Sequence, residues 1–310
     1  MVERFSWVTE QSLSSHRPTA RAAPGSESGY GDRVPDRPSD QPPADRSRSR
    51  PRLVASDLDG TLVRSDGTVS DRTRAAVRAV QSRGAVFVMV TARPPRWVDV
   101  LADLVGDHGV AIVANGAVLY DVVNRTALRT RLIDPAIALE VAKAIRSEIP
   151  DVQFAIERPN RYGEEPGYLN RWPQPDDALV AAMEELLEEP AAKLLVRHPS
   201  WQSDMLLRRV SAVVGDRVTA SHSGGDRLVE IPATGVSKAT TLAEFAAGQG
   251  IPAADCIAFG DSINDLPMLT WAGSSYAVAN AHDEVLAVVD QVCPANDQDG
   301  VATVLEKLYG

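Results

Sequence analysis

The chain has 310 residues, 44% of them apolar, and a formal net charge of −10: enough length for about two domains and a full core. The acid excess opposes binding to nucleic-acid phosphates, so no nucleic-acid partner is expected. No apolar run is long enough to span a membrane, and the N-terminus lacks the basic start and apolar core of a secretory signal, which points to the cytoplasm.

Residues 1–50 hold six of the 21 prolines, few aliphatic residues and the tract Arg46-Ser47-Arg48-Ser49-Arg50. Such a segment buries too little apolar surface to offset its ordering entropy, and a disordered tail is expected there. Beyond it, Leu53-Val54-Ala55-Ser56 reads as a buried parallel strand. Ser70 then caps a helix over 70–83 whose face is Ala76, Val77 and Val80 and whose stop is Gly84. A second buried strand is expected over 85–90, a helix opened by Pro94 and running to about Val105, and a third strand over 110–114. A segment of different character follows, with helices over 135–148, 176–188 and 203–214 and strands over 152–156, 192–197 and 217–222. The αβ alternation then resumes: helix 236–248, strand 256–259, a helix from about Asn264, strand 275–278, and helices over 283–289 and 301–308. Cys256 and Cys293 fall in apolar, strand-like runs; two cysteines give no disulfide framework and no zinc pattern, and both read as core residues.

Strands alternating with helices at this spacing imply an α/β fold with a doubly wound, mostly parallel, Rossmann-like sheet. The organisation expected is a tail at 1–50, the first part of a core domain at 51–126, an α+β insert at 127–224, and the second part of the core at 225–310.

Three runs end apolar strands with polar residues: Asp57-Leu58-Asp59-Gly60-Thr61, Thr91-Ala92-Arg93 and Gly260-Asp261-Ser262-Ile263-Asn264-Asp265. Ligands of open α/β sheets bind at the carboxyl ends of the strands, so these runs should meet in one crevice. Asp57, Asp59, Asp261 and Asp265 would crowd four carboxyl groups there, which repel unless a cation intervenes. An all-oxygen donor set favours Mg²⁺ over zinc or copper. Lys238, on the first turn of a helix, is a point charge suited to a phosphate oxygen. Thr91 offers a hydroxyl, and Gly60 allows close backbone approach. An aspartate can attack phosphorus, and a second carboxyl two residues later can act as acid and then base. Taken singly, each piece has an ordinary reading: a turn after a strand, a helix cap, a solvated lysine, a calcium-like loop. Their joint occurrence in this order points to an enzyme.

These runs resemble the four motifs of the haloacid dehalogenase-like hydrolase superfamily, over about residues 52–310. Ala114-Asn115-Gly116-Ala117, Gly235-Val236-Ser237-Lys238 and Asp265-Leu266-Pro267-Met268-Leu269 are similar to runs of its Cof-like branch. The resemblance implies that Asp57 is nucleophile and Mg²⁺ ligand. It implies that Asp59 is acid/base and binds the metal through its backbone carbonyl. Thr91 and Lys238, with Gly60 and Ala92 beside them, would hold the phosphoryl group. Asp261 would be a metal ligand, Asn264 a phosphate contact, and Asp265 part of the metal shell. Asp59 also implies ester chemistry: a phosphatase for small phosphorylated metabolites (sugar phosphate, nucleotide or phosphorylated cofactor), with no obligate protein partner evident. A phosphomutase sharing the aspartyl-phosphate, or a non-catalytic binding module, are the alternatives. Thr91 and Lys238 lie 147 positions apart, more than a crossover needs, so the insert is the cap. Within it, the loop from Glu157 to Tyr168 is the expected substrate selector, with Glu165 and Tyr168 as candidates; His198 and Trp201 read as packing.

Overall fold

The computed structural model describes residues 50–106, 109–223 and 227–310. The expected tail lies outside these residues except for Arg50, whose Nε donates to the Leu308 carbonyl at 3.1 Å.

The chain first lays down strands β1 (Leu53–Ser56), β2 (Val86–Val90), β3 (Val110–Val113), β4 (Val118–Asp121) and β5 (Thr126–Thr130). It then forms β6 (Gln153–Glu157), β7 (Tyr162–Glu164), β8 (Leu179–Val180), β9 (Lys193–Arg197) and β10 (Leu228–Pro232), and last β11 (Cys256–Gly260), β12 (Ser274–Val278) and β13 (Gln291–Cys293). The helices are α1 (Asp71–Ser82), α2 (Pro135–Glu148), α3 (Met183–Leu186), α4 (Ser203–Val214), α5 (Lys238–Gly248), α6 (Leu266–Trp271), α7 (Asp283–Leu286) and α8 (Gly300–Tyr309).

The larger sheet runs β13-β12-β11-β1-β2-β3-β4-β5. Its first six strands are parallel, β4 runs antiparallel to β3, and β5 antiparallel to β4. Every residue of β1 and β2 is buried, as expected where helices cover both faces of a parallel sheet. Strand order reverses at β1: the chain builds outward through β2 and β3 on one side and through β11, β12 and β13 on the other. That reversal opens a crevice at the carboxyl ends of β11, β1 and β2. Helix α1 forms as its sequence demands. The Ser70 side chain accepts from the Thr73 N–H, and Thr73, Ala76, Val77 and Val80 are buried.

The second sheet runs β10-β9-β6-β7-β8, antiparallel except for β7 with β8. Its pleat sorts the side chains. Phe154, Ile156, Leu194, Val196, Val229 and Ile231 go to one face, where they join α2 and α4 in a separate apolar core. The alternate positions go to the other face. There Glu157 lies opposite Lys193, and Glu230 opposite Leu195.

Several elements depart from the sequence expectations. After Pro94 the chain makes two 3₁₀ turns, Pro95–Trp97 and Asp99–Leu104, broken at Val98 and kinked at Leu101, instead of one α-helix. The consecutive prolines restrict the backbone and remove amide donors at the start. The expected helix over 176–188 is only α3, because Leu179–Val180 pairs with β7 as an edge strand. Residues 217–222 form a 3₁₀ end and isolated bridges to Ala233 and Glu230; the strand there is β10, further on. The expected insert boundaries at 127 and 224 therefore do not coincide with the sheets. β5 belongs to the larger sheet, and the second sheet reaches Pro232.

Candidate active site

Asp57, Thr91 and Asp261 each follow the last residue of adjacent parallel strands, β1, β2 and β11. The polar ends of three apolar strands thus become neighbours in space. Lys238 arrives from a fourth direction, as the first residue of α5 after the Ser237 N-cap, whose capping box with Thr240 fixes the start of that helix. The Lys238 Nζ donates to Asp57 Oδ1 and to Asp265 Oδ1, each at 2.6 Å, and all three groups are buried. Asp265 Oδ2 accepts from the N–H groups of Asp261 and Ser262 at 3.1 and 3.0 Å. Asp261 Oδ1 accepts from the Thr61 hydroxyl at 2.6 Å.

One carboxylate oxygen from each of Asp57, Asp261 and Asp265 lies within 4.8 Å of the others. Burial raises the Asp57 carboxyl well above its ordinary range; Lys238 opposes this, and repulsion from Asp265 and Asp261 adds to it. Burial, followed by repulsion from Asp265, pushes Asp261 up to about 6. Burial disfavours the Lys238 ammonium, but attraction to Asp265 and Asp57 outweighs it and holds the proton. One buried ammonium among the buried Asp57 and Asp265 carboxyls and the half-buried Asp261 carboxyl leaves an excess of negative charge. A small divalent cation would neutralise that excess, and a donor set made only of oxygens fits Mg²⁺.

Asp59 stands apart from this cluster. Its carboxylate, 55% exposed, takes a bidentate pair from Arg93, Nε to Oδ2 at 2.8 Å and Nη2 to Oδ1 at 2.6 Å. Gly60 carries φ +81°, and a Cβ there would fall 2.5 Å from Asp261 Oδ2. Thr91 Oγ1 accepts from the Arg93 N–H at 3.1 Å, and the Ala92 carbonyl accepts from Lys193 Nζ at 2.7 Å. Asn264 Nδ2 donates to Asn115 Oδ1 at 3.0 Å. Asp57, Asp59, Gly60, Thr91 and Ala92 line a cavity of about 760 Å³; Lys238, Asp261, Asp265 and Asn264 lie outside its lining. Lys238 supports that lining through its bond to Asp57, and Asp265 in turn holds Lys238.

The cap candidates divide. Tyr168 lines the cavity. Glu165 does not: Arg146 pairs with its carboxylate, which also accepts from the Phe154 N–H at 3.0 Å. His198 is buried, accepts at Nδ1 from the Ser200 and Trp201 N–H groups, and stacks on Trp201 with centroids 4.3 Å apart, a packing arrangement. Sequence reasoning gave no role to Arg93, Arg96, Lys193 or Glu230, all of which line the cavity. The signal available for two of them was a charged residue in a mainly apolar strand: Lys193, which with Arg197 brackets the apolar centre of β9, and Glu230 in the middle of β10.

Comparison with known proteins gives a consistent result. The pattern of haloacid dehalogenase-like hydrolases matches residues 54–305. A relative in Bacillus subtilis (strain 168), 5-amino-6-(5-phospho-D-ribitylamino)uracil phosphatase YitU, is 25% identical over 278 residues, covering 84% of this chain and 98% of its own. A second relative there, YwtE, named for the same activity, is 27% identical over 287 residues, covering 83% and 98%. Among solved structures, a haloacid dehalogenase-like hydrolase from B. subtilis superposes with a TM-score of 0.71 at 25% identity, covering 83% of this chain and 99% of that one. The phosphatase BT1666 from Bacteroides thetaiotaomicron shares the fold, with a TM-score of 0.70 at 22% identity over 87% and 98%.

Proposed function

The chain belongs to the haloacid dehalogenase-like hydrolase family, as a phosphoric monoester hydrolase of the Cof-like branch, and we propose that it hydrolyses small phosphorylated metabolites through an aspartyl-phosphate at Asp57 with Mg²⁺ as cofactor. The observation that carries this reading is the group of Asp57, Asp261 and Asp265 around Lys238, with Asp59 two residues beyond Asp57. A bound Mg²⁺, held by Asp57, Asp261, the Asp59 carbonyl and the Asp265-supported loop, would neutralise charge on the phosphoryl oxygens.

The chain's own residues supply the rest. The Lys238 contact orients the Asp57 carboxylate. A carboxylate oxygen of Asp57 attacks phosphorus while the bond from phosphorus to the ester oxygen breaks. The Asp59 carboxyl gives its proton to that departing oxygen. Asp59, now ionised, takes a proton from water as the water oxygen attacks the phosphoryl group, releasing inorganic phosphate and restoring Asp57. Arg93 occupies both Asp59 oxygens in this structure, so one of them must leave that pair for Asp59 to carry the proton. Thr91, Gly60 and Ala92 complete the phosphoryl cradle, with Asn264 behind it on Asn115, and Lys238 spreads the charge of the loose transition state.

The purified protein should release inorganic phosphate stoichiometrically from p-nitrophenyl phosphate with Mg²⁺. EDTA should reduce the rate by about 10²-fold or more. Turnover indifferent to EDTA would overturn the metal assignment, and phosphoryl transfer without free phosphate would favour the mutase alternative. The ester named for YitU and YwtE heads the panel of metabolites to assay. A second expectation concerns Gly60. An alanine there must displace either its own backbone or the Asp261 carboxylate. Displacements of this size cost about 10²-fold in rate, so Gly60→Ala should lose that much kcat with its circular dichroism spectrum preserved; wild-type kcat in the variant would refute the close-approach argument.

A further inference from the structure

The loop after β2 carries three residues of the crevice, Thr91, Ala92 and Arg93. The carbonyls of a buried loop need partners as much as those of a strand do. Two of the three are met by the turn after β3. The Asn115 N–H donates to the Thr91 carbonyl at 3.1 Å, and the Ala114 N–H to the Arg93 carbonyl at 2.8 Å. The middle carbonyl is met from the second sheet: Lys193 Nζ, on β9, donates to the Ala92 oxygen at 2.7 Å.

Lys193 is an expensive residue for its place. It is 3% exposed, in a strand buried at every position. Its ammonium also pairs with Glu230 of β10, which is 2% exposed and accepts from the Ser223 hydroxyl at 2.8 Å. Burial alone would raise the Glu230 carboxyl. Attraction to Lys193, with the bonds from Lys193 and Ser223, outweighs it and holds the group below its ordinary range. A buried ion pair adds little net stability over apolar residues of the same volume. What a leucine at position 193 could not supply is a donor to Ala92.

That donor acts on a planar unit. A trans peptide points its C=O and its N–H in opposite directions. With the Ala92 oxygen held toward β9, the N–H of the same unit, that of Arg93, points back to Thr91 Oγ1 and donates to it at 3.1 Å. A hydroxyl that accepts an N–H keeps its own hydrogen for another acceptor. The same unit leads into Arg93, whose guanidinium meets Asp59. A second tie lies further along the loop. Arg96 places Nη1 and Nη2 on the two oxygens of buried Glu157, in β6, at 2.7 and 2.9 Å. The loop that presents Thr91 is thus held from one side by the turn after β3 and from the other by the second sheet.

We propose that Lys193 is a positioning residue for phosphoryl transfer: held by Glu230, it fixes the Ala92–Arg93 peptide from the second sheet, so that the Thr91 hydroxyl hydrogen is left to a phosphoryl oxygen. This rests on the phosphatase reading and adds to it a residue from outside the sheet that carries the nucleophile.

The test measures kcat, KM and melting temperature in the wild type, in Lys193→Met and in the double variant Lys193→Met/Glu230→Gln, with p-nitrophenyl phosphate, glucose 6-phosphate and glycerol 3-phosphate. Lys193→Met should lower kcat about 10²-fold on every ester the wild type hydrolyses, with KM within about threefold, because what is lost is position and not a leaving-group contact. It should also melt roughly 6–20 °C below the wild type, since Glu230 stays buried without its partner. Removing the second charge separates the two effects. The double variant should recover most of the melting temperature while kcat stays down by at least about 30-fold. If the single variant does not fold, the double variant carries the comparison. Either variant turning over within about threefold of the wild type overturns the proposal. A loss in Lys193→Met confined to KM or to one ester also overturns it, and makes Lys193 a leaving-group contact. In those outcomes phosphate release by the wild type leaves the phosphatase reading standing. No turnover of any ester by the wild type overturns both.

Discussion

Replacing Asp57 by asparagine should lower turnover by at least about 10⁴-fold, the scale on which loss of a covalent nucleophile is felt when the rest of the site remains. An amide oxygen can still accept from Lys238, so the substitution keeps the shape of the site and the 2.6 Å contact. What it removes is the negative charge and the nucleophilic oxygen. Burial and repulsion from Asp265 and Asp261 already hold the Asp57 carboxyl well above its usual range. Taking that charge away relieves repulsion, and Asp265 still pairs with Lys238. The variant should therefore melt within a few degrees of the wild type, or slightly above it. Steady-state phosphate release and a thermal denaturation curve check both halves. Residual turnover above about 1% in an intact fold would remove Asp57 from the nucleophile role.

How far the sequence reaches depends on what decides each feature. The strand ends were legible because burial on both faces makes β1, β2 and β11 continuous apolar runs, and each stops where a polar side chain must meet the crevice. Helix α1 was legible because Ser70, the apolar face and Gly84 all agree. The second sheet was harder. Its strands alternate, and most of the residues facing the cavity are charged, so β10 with Glu230 at its centre does not look like a strand. A weaker apolar run at 217–222 took its place, although it makes only isolated bridges. Edge strand β8 has two residues, both exposed, and follows from its pairing with β7 alone. Arg93 was invisible as a partner of Asp59 because their pairing spans 34 positions and depends on β1 and β2 lying side by side. Glu165 and Tyr168 lie three apart in one loop, yet only the tyrosine reaches the cavity; the loop's path, set by the Arg146 pair, decides this.

The same cluster gives Lys238 a structural part beside the catalytic one proposed for it. Its side chain is 1% exposed, and its ammonium touches two carboxylates at 2.6 Å. Lys238→Met keeps a similar apolar stem and removes the charge, leaving Asp57, Asp261 and Asp265 within 4.8 Å of one another without the cation that faces two of them. Breaking a buried pair by removing one partner costs about 3–5 kcal/mol, because the remaining charge stays buried. For a folded unit of this size that corresponds to a melting temperature lower by roughly 6–20 °C. Activity should fall by about 10²–10³-fold, the usual effect of losing one preorganised electrostatic partner of the transition state. Mg²⁺ separates the two contributions. If the loss of stability is electrostatic, adding Mg²⁺ after EDTA treatment should raise the melting temperature of the variant more than that of the wild type, because the variant's carboxylates have no other cation to share. If the loss came instead from a void or a misplaced helix start, Mg²⁺ would shift both proteins equally. A variant in EDTA melting within about 2 °C of the wild type would show that the ammonium does not hold the three carboxyl groups together.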